Sequence, residues 1–116
     1  MSDLQCAARF VLLTDLGRAD ALRHERVAAV YDGSAADGGP SWVGEVAETL
    51  GLPVGALAAP IPLTAVLSRE PEALAALGEL ADLHRGETVV VTAVGEPGRR
   101  VDVAVDGDGV TITEAG

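Results

Sequence analysis

Apolar positions fall along the chain in three patterns, and each predicts a different element. Phe10-Val11-Leu12-Leu13 and Val27-Ala28-Ala29-Val30-Tyr31 are continuous apolar runs, the pattern of strands covered on both faces in a parallel sheet. Thr88 to Val94 is β-branched almost throughout and is the strongest strand signal. Val43, Val46, Ala47 and Leu50 recur at helical spacing behind Ser41, a preferred N-cap, and Gly51 closes that helix. A second helix is predicted from Ser68 as its cap. Pro71 stands in its first turn, Glu70 and Glu72 suit the positive end of the dipole, and Leu74, Leu77, Leu80, Ala81 and His84 form its inward stripe up to Gly86. The tail alternates instead. Val101, Val103 and Val105 are separated by Asp102 and Ala104, Val110 and Ile112 by Thr111, and Asp106-Gly107-Asp108-Gly109 lies between, so a β-hairpin is predicted.

Two stretches are weaker. Asp20 to Arg26 is rich in helix formers, and Val54 to Ala58 suits a short extended segment. Thr49 to Ser68 carries no charge, but Pro53, Pro60 and Pro62 interrupt it, so it reads as a loop lying on the core and not as a membrane span. Together the elements predict one α/β domain over residues 1–116: a mostly parallel central sheet flanked by helices, with a C-terminal β-hairpin.

Composition narrows the function classes. The 116 residues carry 8 Lys+Arg against 18 Asp+Glu, a formal charge of −10, and every cation is arginine. Such a balance argues against nucleic acid and anionic membranes, whose phosphates are gripped by clustered cations. Cys6 is the single cysteine, so no intrachain disulfide forms, and His24 and His84 lack neighbours at metal-ligand spacing. Met1 to Gln5 is polar and shows no signal-peptide pattern, so a soluble cytoplasmic chain without metal or cofactor is expected.

Three stretches resemble one family. FVLLTDLGRAD is similar to the opening strand and loop (LVLVRHGRTE) of the histidine phosphatase, phosphoglycerate mutase-like superfamily. VAAVYDGSAADGGPSWVGEVAETLGLPV resembles its AVYSSPLxRAxxTAxxLAxxLGLPV segment, and ELADLHRGETVVVTAVGE its LxxxHxGETVLVVSHGG helix and strand. The tail VDVAVDGDGVTITE resembles its closing strands, so the resemblance spans nearly the whole chain. In that family one histidine accepts a phosphoryl group, while two arginines and a second histidine grip it. Here the opening Arg-His aligns with Asp15-Leu16, although Gly17 and Arg18 remain. The second arginine aligns with Asp37, and the second histidine with Val94 or Gly95. The family's carboxylate has no counterpart, since no acidic residue occurs between Glu48 and Glu70.

Leucine and valine accept no phosphoryl group, and carboxylates repel one; at an effective dielectric near 20, a unit charge at about 4 Å is worth about 4 kcal/mol. The resemblance therefore implies a shortened, catalytically degenerate member with no catalytic residue. Its candidate pocket comprises Asp15, Leu16, Arg18, Asp32, Asp37, Val94 and Arg99. Arg18, Arg99 and Arg100 are either solvated loop arginines or the remnant of an anion site. Asp15, Asp32 and Asp37 are either turn residues or an acidic pocket. Tyr31 and Trp42 are placed at the pocket mouth or in packing. The expected function is binding: to a partner protein, to a second copy as a homodimer, or to a small ligand. Apolar surface left at Ile61, Leu63, Val66 and Leu67 by the shortened middle would drive dimerisation. The alternative is an enzyme of altered chemistry that uses the pocket carboxylates as acid and base.

Overall fold

Both faces of the first strand are apolar, and this puts it in the middle of the sheet. The structure, a computed structural model, describes residues 7–15, 22, 25–33, 42–57, 60–96, 98–106 and 109–115. Strands β1 (Ala8–Leu13), β2 (Val27–Gly33), β3 (Val54–Ala56), β4 (Thr88–Ala93), β5 (Arg100–Asp106) and β6 (Gly109–Ala115) form one six-stranded sheet in the order β3-β2-β4-β1-β5-β6. Phe10 and Leu12 of β1, with Val89 and Val91 of β4, pack under helices α2 (Leu63–Leu67) and α3 (Pro71–Leu83). Val11 and Leu13, with Val30 and Val90, pack on the opposite face against Val46 of α1 (Trp42–Leu50). Each such fully buried Leu, Val or Phe contributes about 1.5–3 kcal/mol relative to exposure.

The sheet is mixed, which corrects the expectation of a mostly parallel sheet flanked by helices. β1–β4, β2–β4 and β2–β3 pair in parallel, whereas β1–β5 and β5–β6 pair antiparallel. The connection lengths explain the difference. Residues 14–26, and the segments holding α1 or α2 and α3, are long enough to return the chain for a parallel strand. Residues 94–99 are not, because a parallel crossover needs about a dozen residues or more. β5 therefore steps over the end of β1 and runs back beside it, so the hairpin it forms with β6 extends the central sheet and is no appendage. Among the described residues helical cover is also one-sided there. Val101 and Val103 are buried under α3, while Asp102 is half-buried and Thr111 and Thr113 are exposed.

Local elements differ from expectation in one region above all. Residues 60–68 are no loop: Pro62, fixed near φ −72°, leads into α2, and Ser68 ends that helix instead of capping the next. Glu70 holds the N-cap position of α3, with Pro71 behind it. Ile61, Leu63 and Val66 are buried in the core and Leu67 packs against it, so the apolar surface expected to drive dimerisation is covered by the chain itself. The inward stripe of α3 is Ala73, Leu77, Leu80 and Ala81; Leu74 is half-buried and His84 is the C-cap. Gly51 follows α1 at φ +71°, the left-handed conformation that ends a helix cheaply only at glycine. The helical segment expected at 20–26 and the cap at Ser41 lie largely outside the described residues.

Candidate functional site

The parallel pairing carries the C-terminal ends of β1, β4 and β2 to one rim, where open α/β sheets build their sites. Leu13 of β1 and Asp32 of β2 are both in register with Thr92 of β4. At the usual strand spacing they lie about 10 Å apart. Thr92 is fully buried, and both capacities of its hydroxyl are used: Oγ1 donates to Asp32 Oδ1 at 3.0 Å and accepts the Gly33 N–H at 3.1 Å. Thr14, buried just past β1, accepts the Arg99 N–H at 3.0 Å, and its own N–H donates to the Arg99 carbonyl at 3.3 Å.

The rim between β2 and β4 is closed by the chain. The Ile61 N–H donates to the Gly33 carbonyl at 2.7 Å, the Val94 N–H to the Ile61 carbonyl at 2.9 Å, and the Leu63 N–H to the Val94 carbonyl at 2.8 Å. Gly33 allows this approach, since a Cβ there would stand 2.6 Å from the Thr92 carbonyl oxygen and 3.3 Å from the Ile61 side chain. The Ile61–Leu63 segment thus lies across the strand ends and is bonded to them.

Of the predicted pocket, Asp15, Asp32 and Val94 lie at this rim: Asp15 is half-buried past Thr14, Asp32 is held by Thr92, and Val94 is 43% exposed. Arg99 is spent on an ion pair with Glu114 of β6. Leu16, Arg18 and Asp37, like His24 and Cys6, lie outside the described residues. Arg100 is tied more firmly still. Its Nε and Nη2 donate to the two carboxylate oxygens of Asp102 at 2.8 and 3.2 Å, and Nη2 also donates to Glu25 at 2.9 Å. The bonds to Asp102 first, and then to Glu25, raise the guanidinium pKa above its ordinary value in spite of burial. Both guanidiniums are thus paired with carboxylates.

Tyr31 and Trp42 do not share a pocket mouth, because they occupy opposite faces of the sheet. Trp42 packs with the α1 core, and Tyr31 joins the α3 side. There the Tyr31 hydroxyl meets His84 Nε2 at 2.9 Å, and His84 Nδ1 meets Glu87 Oε1 at 2.8 Å. In the tautomer that carries its proton on Nδ1, the ring donates to Glu87 and Nε2 accepts from the Tyr31 hydroxyl. Among the described residues no group of three or more His, Cys, Asp or Glu is placed to hold a metal ion. No described helix is long and apolar enough to cross a membrane.

Sequence reasoning missed a groove on the α2–α3 side. It encloses about 650 Å³, with Ile61, Ala65, Ala73, Ala76 and Leu80 among its lining and Glu70, Glu72 and Glu79 at its edges. The recurrence of alanine where a core helix would carry larger side chains was the one signal in the sequence. No family model, curated protein or solved structure matches this chain.

Proposed function

We propose that the chain is a non-catalytic, histidine-phosphatase-like domain that acts by binding a partner protein. The segments that carry the resemblance form β1, β2 with α1, and the end of α3 with β4, and so bring the motif ends to one rim. One observation carries the rest of the reading. Ile61, Val94 and Leu63 close the rim between β2 and β4 with three backbone hydrogen bonds, beside the strand ends where the resemblance places the phosphoryl pocket. Among the described residues the rim offers Asp15, Asp32 and Val94, and the arginines beside it, Arg99 and Arg100, are paired with carboxylates. Phosphoryl transfer needs a nucleophile in line and cations opposite the developing charge. Among the described residues the α2–α3 groove offers an open surface.

A second copy is disfavoured as its occupant. A two-fold interface sets one patch on itself and would bring Glu70, Glu72 and Glu79 of each copy together. The test is catalytic: the purified chain with p-nitrophenyl phosphate should release no nitrophenol above the buffer rate. Its melting temperature should also not rise in millimolar phosphate. Turnover, or stabilisation by phosphate, overturns the reading.

A further inference from the structure

We infer that the α2–α3 groove takes a cationic amphipathic helix of a partner protein; this rests on the reading of the chain as a binding domain. Its shape is the first ground. The lining runs along α3 from Glu70 to Leu80, about 15 Å of helix, so the cavity is a trough the length of three turns and not a compact pouch. Its lining is rich in alanine. Ala73 and Ala76 of α3 and Ala65 of α2 meet Ile61 and Leu80 there, and alanines let a second helix approach closely while apolar neighbours take its side chains. Such a groove is read by residues spaced at i, i+3 or i+4, and i+7.

Charge is the second ground. Every charged residue in the lining is a glutamate. Glu70 and Glu72 have an ordinary role at the start of α3, where they suit the helix dipole. Glu79 has none, since it stands mid-helix. Glu72 and Glu79 are two turns apart and fall on the same lip of the trough, about 10 Å from each other along the axis. No ion pair among the described residues involves any of the three. Lysines or arginines two turns apart on an incoming helix would meet both carboxylates while its apolar stripe covers the alanines. With a net charge of −10, the domain also steers such a partner from a distance and repels an acidic one.

The test uses the full chain and a fluorescein-tagged synthetic peptide of about 14 residues, made of leucine and lysine in helical register. Fluorescence anisotropy should show saturable binding. Glu72→Gln with Glu79→Gln should raise Kd about tenfold, and Ala76→Phe, which fills the trough, should raise it at least as much. Glu45→Gln with Glu48→Gln makes the same change of charge on the exposed side of α1, across the sheet, and should leave Kd within about twofold. Equal losses in the two double variants mean general attraction to an acidic protein and overturn the inference, as does absence of binding by the unaltered chain. If Ala76→Phe fails to fold, the two glutamine pairs still decide. Failure here with no turnover of p-nitrophenyl phosphate removes only the cationic partner; turnover removes the binding-domain reading itself.

Discussion

The Tyr31 hydroxyl lies 2.9 Å from Nε2 of His84, joining the sheet to the C-terminal end of α3 across 53 residues of sequence. The two rings stand nearly edge to face, 5.7 Å apart. Glu87 completes the connection at Nδ1, one residue before β4 begins. The contact lies at the C-cap of α3, four residues before β4 begins. It stands mid-sheet under α3, away from the strand-end rim. Tyr31→Phe removes a part-buried hydrogen bond and should cost about 1 kcal/mol. For a domain of this size that lowers the melting temperature by about 4 °C. A cycle combining Tyr31→Phe with His84→Ala should show coupling of at least about 0.5 kcal/mol. Additive losses in urea denaturation would mean that the two side chains are merely neighbours.

Thr92 anchors the rim. Thr92→Val keeps the shape but leaves the Gly33 N–H and the Asp32 carboxylate without this hydroxyl, and should cost about 2–3 kcal/mol. Thr92→Ser keeps the hydroxyl, loses one methyl, and should cost about 1 kcal/mol. Equal costs for the two variants would show that packing, and not the hydroxyl, matters at this position.

Glycines separate by what surrounds them. Gly33→Ala drives a Cβ against the Thr92 carbonyl at 2.6 Å and should destabilise by about 2–3 kcal/mol. Gly44→Ala and Gly78→Ala meet nothing within 4 Å inside helices, and each should stabilise by about 0.5–1 kcal/mol. Thermal melts of the three variants check both signs. A harmless Gly33→Ala would mean that the strand ends are not stitched as closely as described.

Arg100 and Arg85 offer a contrast between ion pairs. The Arg100 side chain is 14% exposed and bonds two carboxylates, whereas Arg85 is 47% exposed and pairs with Asp82 alone. Arg100→Ala should cost about 1–3 kcal/mol, chiefly by leaving Asp102 and Glu25 facing one another unneutralised. Arg85→Ala should cost less than about 0.5 kcal/mol and even less in high salt. Similar costs for the two would show that the Arg100 cluster is no better than a surface pair.

These features divide by how local their signals are. β1, β4 and the β5–β6 hairpin were legible because a covered strand is apolar throughout and a half-covered one alternates. The α1 stripe was legible at Val43, Val46 and Ala47 for the same kind of reason. The mixed sheet was not, because the direction of β5 depends on the length of 94–99 and not on the composition of β5. α2 was hidden by Pro60 and Pro62, which read as loop residues although Pro62 is compatible with a helix start. Its inward residues, Leu63 and Val66, therefore read as open surface. In the site, Asp15, Asp32 and Val94 were placed on the rim by the resemblance. Thr14 and Thr92 were missed because threonine in an apolar run reads as a strand former. The groove is a property of two helices and the segment before them, and no single window of sequence contains it.

On the proposed reading this rim performs no phosphoryl chemistry. Its most direct test is steady-state hydrolysis of p-nitrophenyl phosphate by the purified chain, measured beside Asp15→Asn and Asp32→Asn. All three should hydrolyse it at the buffer rate. Turnover by the unaltered chain that falls in either variant would contradict it, and would make the rim carboxylates the acid and base of a working enzyme.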